Sequence, residues 1–253
     1  MTSKELLTPL QKTKDILYTV IPPIRSLSYK AFILLNRETK EVFPKDDFTV
    51  CTILNRTKIM FPMNTNTLRM YIKEYATKGL TEVLQYADEI SFKGLVRVSS
   101  KKCKILNHRD WLKEPISGFL YPLSPSKTVR NLIGLIPGTD IGILWILNRL
   151  HHLPILGLAY ILTRNKEYIN TLQKHILLWS EGNPIGLGPN WINAMEPSIR
   201  ACNIILSLAL ASDYFSENIN KSKNFLLYVT ALLYEHGKSV SYTHLTLPTT
   251  ERV

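Results

Sequence analysis

Carboxylates are scarce in this sequence: 20 Asp and Glu face 31 Lys and Arg, a formal net charge of +11 over 253 residues. Such an excess concentrates polyanions at the surface whatever their chemistry. An acidic polysaccharide, a nucleic acid or an anionic membrane face would all be drawn to it, and charge alone does not choose. Cysteine is scarcer still. Cys51, Cys103 and Cys202 are odd in number and widely spaced, which excludes a disulfide framework, a metal clip and a redox pair, so no metal site and no cofactor is expected. A secretory leader is also missing from view: the first thirty residues carry Lys4, Lys12 and Lys14 but no continuous apolar run, because Pro22 and Pro23 interrupt it. The longest uncharged apolar stretch, residues 150–163, falls short of the eighteen or so residues that a membrane span needs. No membrane partner is therefore expected, and the compartment stays open.

Apolar residues make up 45% of the chain, enough to fill a substantial core. Leu6, Leu10, Leu17 and Ile21 suggest a loose helical face that stops at Pro22, and a short helix is plausible over 24–35. Residues 36–66 lose the period and read as loop, with a short strand around 49–54. A helix is expected over 67–87 and a small exposed strand over 92–98. Between 107 and 137 lie Pro115, Gly118, Pro122, Pro125 and Pro137, interleaved with Trp111, Phe119 and Tyr121, which makes an irregular, aromatic-rich connection.

From residue 139 onward the pattern is helical. One helix is expected over 140–163, kinked near Leu150 by Pro154. A second is capped by Asn165, carries an apolar face of Tyr168, Ile169, Leu172, Ile176 and Trp179, and ends at Gly182 and Pro184. A third, 193–213, is apolar nearly all round; a fourth, 218–237, presents Phe225, Val229, Leu232 and Leu233. After Lys238 the string VSYTHLTLPTT abandons this period and resembles one reading frame of a transposase sequencing adapter. Residues 239–253 are accordingly expected to be a non-native tail, and the net charge stands without them because Glu251 and Arg252 cancel.

Function, where it is legible, lies between 140 and 200. Trp145, Arg149 and His152 share one face if the helix is continuous, bringing a ring to stack on a sugar beside a guanidinium that can take a carboxylate. The structural alternative is a core Trp145, an Arg149 paired with an acid and an interior His152. Asn190 and Trp191 follow a Gly/Pro-rich loop before a helix start, where backbone donors can face an anion, or where a tight turn simply buries Trp191. Asn193 and Glu196 have capping-box spacing, with Glu196 at Pro197 an alternative start, and Glu196 with Arg200 is spaced as a helical ion pair in which the acid orients the base.

Taken together, Trp145-x-x-x-Arg149-x-x-His152-Leu153, Ala159-Tyr160-x-Leu162-Thr163, Trp179, Asn183-Pro184, Gly188-x-Asn190-Trp191, Glu196 and Ile199-Arg200 resemble, in order and spacing, the N-terminal helical domain of the heparinase II/III family. Upstream, Trp111-x-x-x-Pro115-Ile116-Ser117-Gly118 and Tyr121-Pro122 are similar to the segment that precedes those helices. The resemblance covers about residues 107–238; residues 1–106 match more vaguely. Asn148 stands where the family often has a small hydroxyl residue, and His151 where it often has Gln.

The resemblance implies a mainly α chain: part of an incomplete (α/α) toroid over 107–238 behind a small irregular or mixed N-terminal region, residues 1–106, with further toroid and β-sandwich domains of the same protein to follow. It implies a polysaccharide lyase that cleaves uronic-acid polymers, of the heparan sulfate or alginate kind, by β-elimination. Many members are periplasmic or secreted. An Asn or His that neutralises the carboxylate, a Tyr or His base and a Tyr acid are expected after Lys238, so no catalytic residue is assigned here. Substrate binding is assigned to Trp145, Arg149, His152, Asn190, Trp191, Glu196 and Arg200. Two other classes compete: a non-catalytic helical scaffold or acidic-polysaccharide-binding module, and a nucleic-acid binder, disfavoured because the aromatics are not interleaved with Lys/Arg runs.

Overall fold

A computed structural model describes residues 65–75 and 77–245, all within the unit Val50–Val253. The helices expected over 1–21 and 24–35, and the strand around 49–54, lie outside the described residues.

The described chain is mostly helical. It opens with α1 (Thr65–Tyr75) and α2 (Thr77–Lys93), followed by β1 (Leu95–Val98) and β2 (Lys101–Lys104), an antiparallel hairpin with Leu95 opposite Lys104 and Val98 opposite Lys101. The expected helix over 67–87 is thus two helices, and α2 runs on to take in Phe92 and Lys93 from the expected strand. The strand is not simply exposed: Val96 and Val98 are buried while Arg97 faces solvent and meets Glu89 at 2.9 Å. This is the period-two alternation of a strand lying on a core.

A 3-10 turn, His108–Leu112, is closed by a capping box in which Asn107 accepts from Arg109 N–H, and it buries Trp111 and Leu112. The proline-rich segment contains only one short helix, α3 (Ser126–Arg130), yet Tyr121 and Val129 are buried in a second cluster with Ile141 and Leu144. Its aromatics serve as packing.

Next come α4 (Ile141–Asn148), α5 (His152–Thr163) and α6 (Lys166–Gly182). The single kinked helix expected over 140–163 is therefore a correction. Leu150 turns to φ 59°, the left-handed region, and the chain restarts at His152. Pro154 then sits in the first turn of α5, where its missing N–H has no helical partner to lose, so it helps start a helix. By length and hydropathy alone Ile141–Thr163 could cross a membrane, but half of it is buried within the protein. Asn165 caps α6 by accepting from Glu167 N–H at 3.0 Å, and Tyr168, Ile169, Leu172, Ile176 and Trp179 form its buried face.

After a second 3-10 turn, Pro189–Trp191, follow α7 (Met195–Leu210), α8 (Ser212–Glu217) and α9 (Ile219–Leu245). In α7, Ile204 and Leu208 are buried, but Ile199, Ile205 and Leu206 are only half-buried, so it is less enclosed than its apolar composition suggested. α9 continues beyond Lys238 as one helix to Leu245. α7 packs on α5 and α9, and α2 packs on α5 and α6. Two glycines permit the tightest approaches: a Cβ on Gly157 would lie 2.9 Å from Leu210 Cβ, and one on Gly182 2.1 Å from the His108 carbonyl oxygen.

Candidate functional site

The residues singled out between 140 and 200 converge where α4, α5, α6, the second 3-10 turn, α7 and α9 meet, and a buried arginine sits at the centre. Arg200 is 0% exposed. Its guanidinium carbon lies 4.0 Å from the Trp179 ring centre and 5.1 Å from that of Trp191, so two indole faces take the place of a carboxylate. Its Nε donates to His236 Nε2 at 2.8 Å, and Nη2 and Nη1 donate to the carbonyls of Asn190 (3.2 Å) and Asn148 (3.4 Å). His236 is fixed in one tautomer. Its Nδ1 donates to the Leu232 carbonyl at 2.7 Å, which leaves Nε2 as the acceptor that Arg200 requires. Burial pushes the His236 pKa down to about 3 and that of Arg200 down to about 9, so at neutral pH the histidine is neutral and the arginine charged.

Asparagines lock this cage. Asn148 donates to the Trp111 and Leu144 carbonyls at 2.9 and 2.8 Å and accepts from Trp179 Nε1 at 2.8 Å. Asn183 accepts from Asn190 Nδ2 at 2.6 Å, and its carbonyl accepts from Trp191 Nε1 at 3.1 Å. Asn190 and Trp191 therefore form a tight turn folded into the core, the structural alternative for that pair.

Glu196 does not pair with Arg200, as its helical spacing suggested. It is 1% exposed and takes Arg149 instead, accepting from Nε at 2.9 Å and from Nη2 at 3.0 Å. α4 ends at Asn148 and Arg149 is its C-cap, so the guanidinium reaches across to α7. Half of the expected capping box is present, with Asn193 accepting from Glu196 N–H at 3.0 Å. The Glu196 bond holds the Arg149 pKa above its ordinary value. Only one edge of that guanidinium is used. No described residue takes Nη1, and the side chain is 24% exposed, so the Nη1–Nη2 edge remains open as a fork for a second carboxylate. Beside it, Trp145 is half-buried and donates from Nε1 to the Pro189 carbonyl at 3.0 Å. His151 is exposed, and Asn203 donates to its Nδ1 (3.0 Å) and to the Arg149 carbonyl (2.8 Å). Its Nε2 therefore carries the proton and offers a donor, not a base.

No family model, curated protein or solved structure matches this chain.

Trp145, Arg149 and His152 do not line one helical face, because the break at Leu150 separates them. His152 is 2% exposed and lies with Trp111, stacked at 5.8 Å, and with His175, whose Nδ1 is 2.9 Å from its Nε2. Burial, then the neighbouring His175 and His151, hold its pKa well below the usual range. Of the seven expected contact residues, His152, Asn190, Trp191, Glu196 and Arg200 are buried and Trp145 and Arg149 reach solvent. Of the two departures from the family pattern, Asn148 is in the core and His151 on the surface beside Arg149. Sequence reasoning missed His236, Asn183 as a lock, and Asn203. The last two had only hydrogen-bonding capacity as a signal, and His236 lies 36 residues from the arginine it serves. Among the described residues no group of three His, Cys, Asp or Glu side chains could hold a metal ion.

Proposed function

We propose that this chain is part of a polysaccharide lyase of the heparinase II/III type: a segment of an incomplete (α/α) toroid that holds uronic-acid polymers, with the proton-transferring residues in the part of the protein downstream. The observation that carries this reading is the half-used Arg149. Glu196 grips its Nε–Nη2 edge and leaves the Nη1–Nη2 edge of a partly exposed side chain open, one helical turn from the half-buried Trp145 and near the exposed His151. A uronate has a carboxylate for such a fork and an apolar ring face for an indole. The ordered sequence resemblance over 107–238 and the net +11 support the same substrate class.

In this reading the buried residues position the exposed ones. Arg200, clamped by Trp179 and Trp191, ties the Asn148 and Asn190 carbonyls together and so fixes the ends of α4 and of the Pro189–Trp191 turn, which carry Arg149 and the Trp145 contact. β-Elimination needs an acid and a base within hydrogen-bond reach of C5 and O4. Near Arg149 the Glu196 carboxylate is buried and taken up by the guanidinium, and His151 Nδ1 is occupied by Asn203, which favours binding here and chemistry elsewhere.

Labelled heparan sulfate and alginate fragments titrated against the 253-residue chain should bind, weakening steeply from low to physiological salt because exposed charges are screened over about 8 Å at 0.15 M. Arg149→Ala should weaken binding at least about tenfold, the scale of one charge-assisted hydrogen bond. The chain itself should form no unsaturated uronate, followed by its ultraviolet absorbance, while a version extended past residue 238 with the natural codons should. Tighter binding to single-stranded DNA would overturn the substrate class. An extended chain that binds but stays inert on every uronate polymer would leave a polysaccharide-binding scaffold.

A further inference from the structure

A second basic site lies on other elements. The end of α2, strand β2 and the middle of α6 enclose a cleft of about 500 Å³. Lys93, Lys104 and Lys174 line it, one from each element, and no carboxylate does. None of the three ammonium groups is ion-paired with a described residue. The acids nearest in sequence are already engaged: Asp88 accepts from Tyr168 Oη at 2.7 Å, and Glu89 is bound to Arg97 and Lys102 at 2.9 and 2.7 Å. Three like charges facing one cleft repel each other unless an anion joins them.

The cleft also holds polar groups with nothing to bind. His175 is 2% exposed, uses Nδ1 on His152 and has no described partner at Nε2. Ser91 lines the same cleft, and its Oγ has no hydrogen-bond partner. Buried polar atoms are normally satisfied, so the unpartnered Ser91 Oγ, in a cleft lined also by His175 and three lysines with no ion pair among the described residues, marks a place for a ligand with several acceptor oxygens. At the rim Phe92 and Leu106 are 63% and 58% exposed, an apolar surface fitted to a ring.

We propose that this cleft binds a phosphate or sulfate monoester of a ring-bearing small molecule, with Lys93, Lys104 and Lys174 around the oxyanion, Ser91 and His175 at its base, and Phe92 and Leu106 against the ring. The site shares no residue with the Arg149 surface and does not depend on the lyase reading.

The test is calorimetric titration of the 253-residue chain with glucose 6-phosphate, glucose 6-sulfate, inorganic phosphate and inorganic sulfate. The variants are Lys104→Glu, Lys174→Glu and, as a charge-matched control on α3, Lys127→Glu. All three lysines are exposed, and circular dichroism verifies that each variant is folded. Expected is saturable binding in which each cleft variant loses at least about tenfold in affinity, the scale of one charge-assisted hydrogen bond, and Lys127→Glu loses none. The sugar esters should bind more tightly than the inorganic ions, and whichever ester is tighter identifies the source of the oxyanion. Loss as large in Lys127→Glu as in the cleft variants would reduce the effect to diffuse charge and overturn the proposal. So would the absence of saturable binding by all four probes at millimolar concentration.

Discussion

A buried cation and its partner are not energetically equivalent. Arg200 lies in the core with two indoles, two carbonyls and one imidazole, and burial displaces its pKa to about 9. Arg200→Met removes three donated hydrogen bonds but also removes the desolvated charge, and such exchanges are often close to neutral. His236→Ala leaves the charge in place without its nearest acceptor and opens a cavity between two tryptophans, which should cost about 3–5 kcal/mol. Urea denaturation should rank His236→Ala as clearly the more destabilising. The reverse order would mean that the rings and carbonyls alone hold the guanidinium.

At the level of elements the decisive event is the break between α4 and α5. A leucine in the left-handed region costs about 1–2 kcal/mol, but Leu150 is fully buried. Leu150→Gly relieves the backbone and forfeits the side chain, and losing a buried leucine costs about 2–5 kcal/mol. The variant should therefore lower the thermal midpoint, whereas a raised midpoint would show that strain outweighs packing at this position. The break also marks the limit of sequence reasoning. α6 was legible from both ends because Asn165 and Gly182 act locally, and its buried face follows the helical period. Pro154 pointed to the right place, near Leu150, but to a bend in one continuous helix; nothing local announces a left-handed turn there, where neither glycine nor asparagine stands. Glu196 was misassigned for a related reason. The helical neighbour Arg200 is four residues away and Arg149 is 47 away, and only the folded chain brings the more distant one closer.

At the scale of the whole molecule, three buried histidines among the described residues make stability depend on acid. His236 titrates at about 3 and His175 at about 4, displaced from 6.5 by burial, and His152 lies well below its ordinary value. Below pH 6.5 the unfolded chain takes up protons that the folded chain excludes, so their stabilisation is complete above 6.5 and is lost progressively as pH falls toward 3. Each unit of displacement is worth about 1.4 kcal/mol. The urea midpoint should fall steeply between pH 6.5 and pH 4; a midpoint flat over that range would mean that these rings are protonated in place.

The Arg200 cage also imposes an order on biosynthesis. Its first members, on α4, leave the ribosome well before its last, His236 on α9, and 36 residues separate that histidine from the arginine it accepts. At roughly 5–20 residues per second, the guanidinium waits about 2 to 7 seconds for its acceptor. Throughout that interval α7 presents a half-finished polar cage and an uncovered apolar flank to the cytosol or to a translocation channel. A nascent chain stalled inside α9 should therefore be a favoured client of ribosome-associated chaperones, and one stalled beyond it should not.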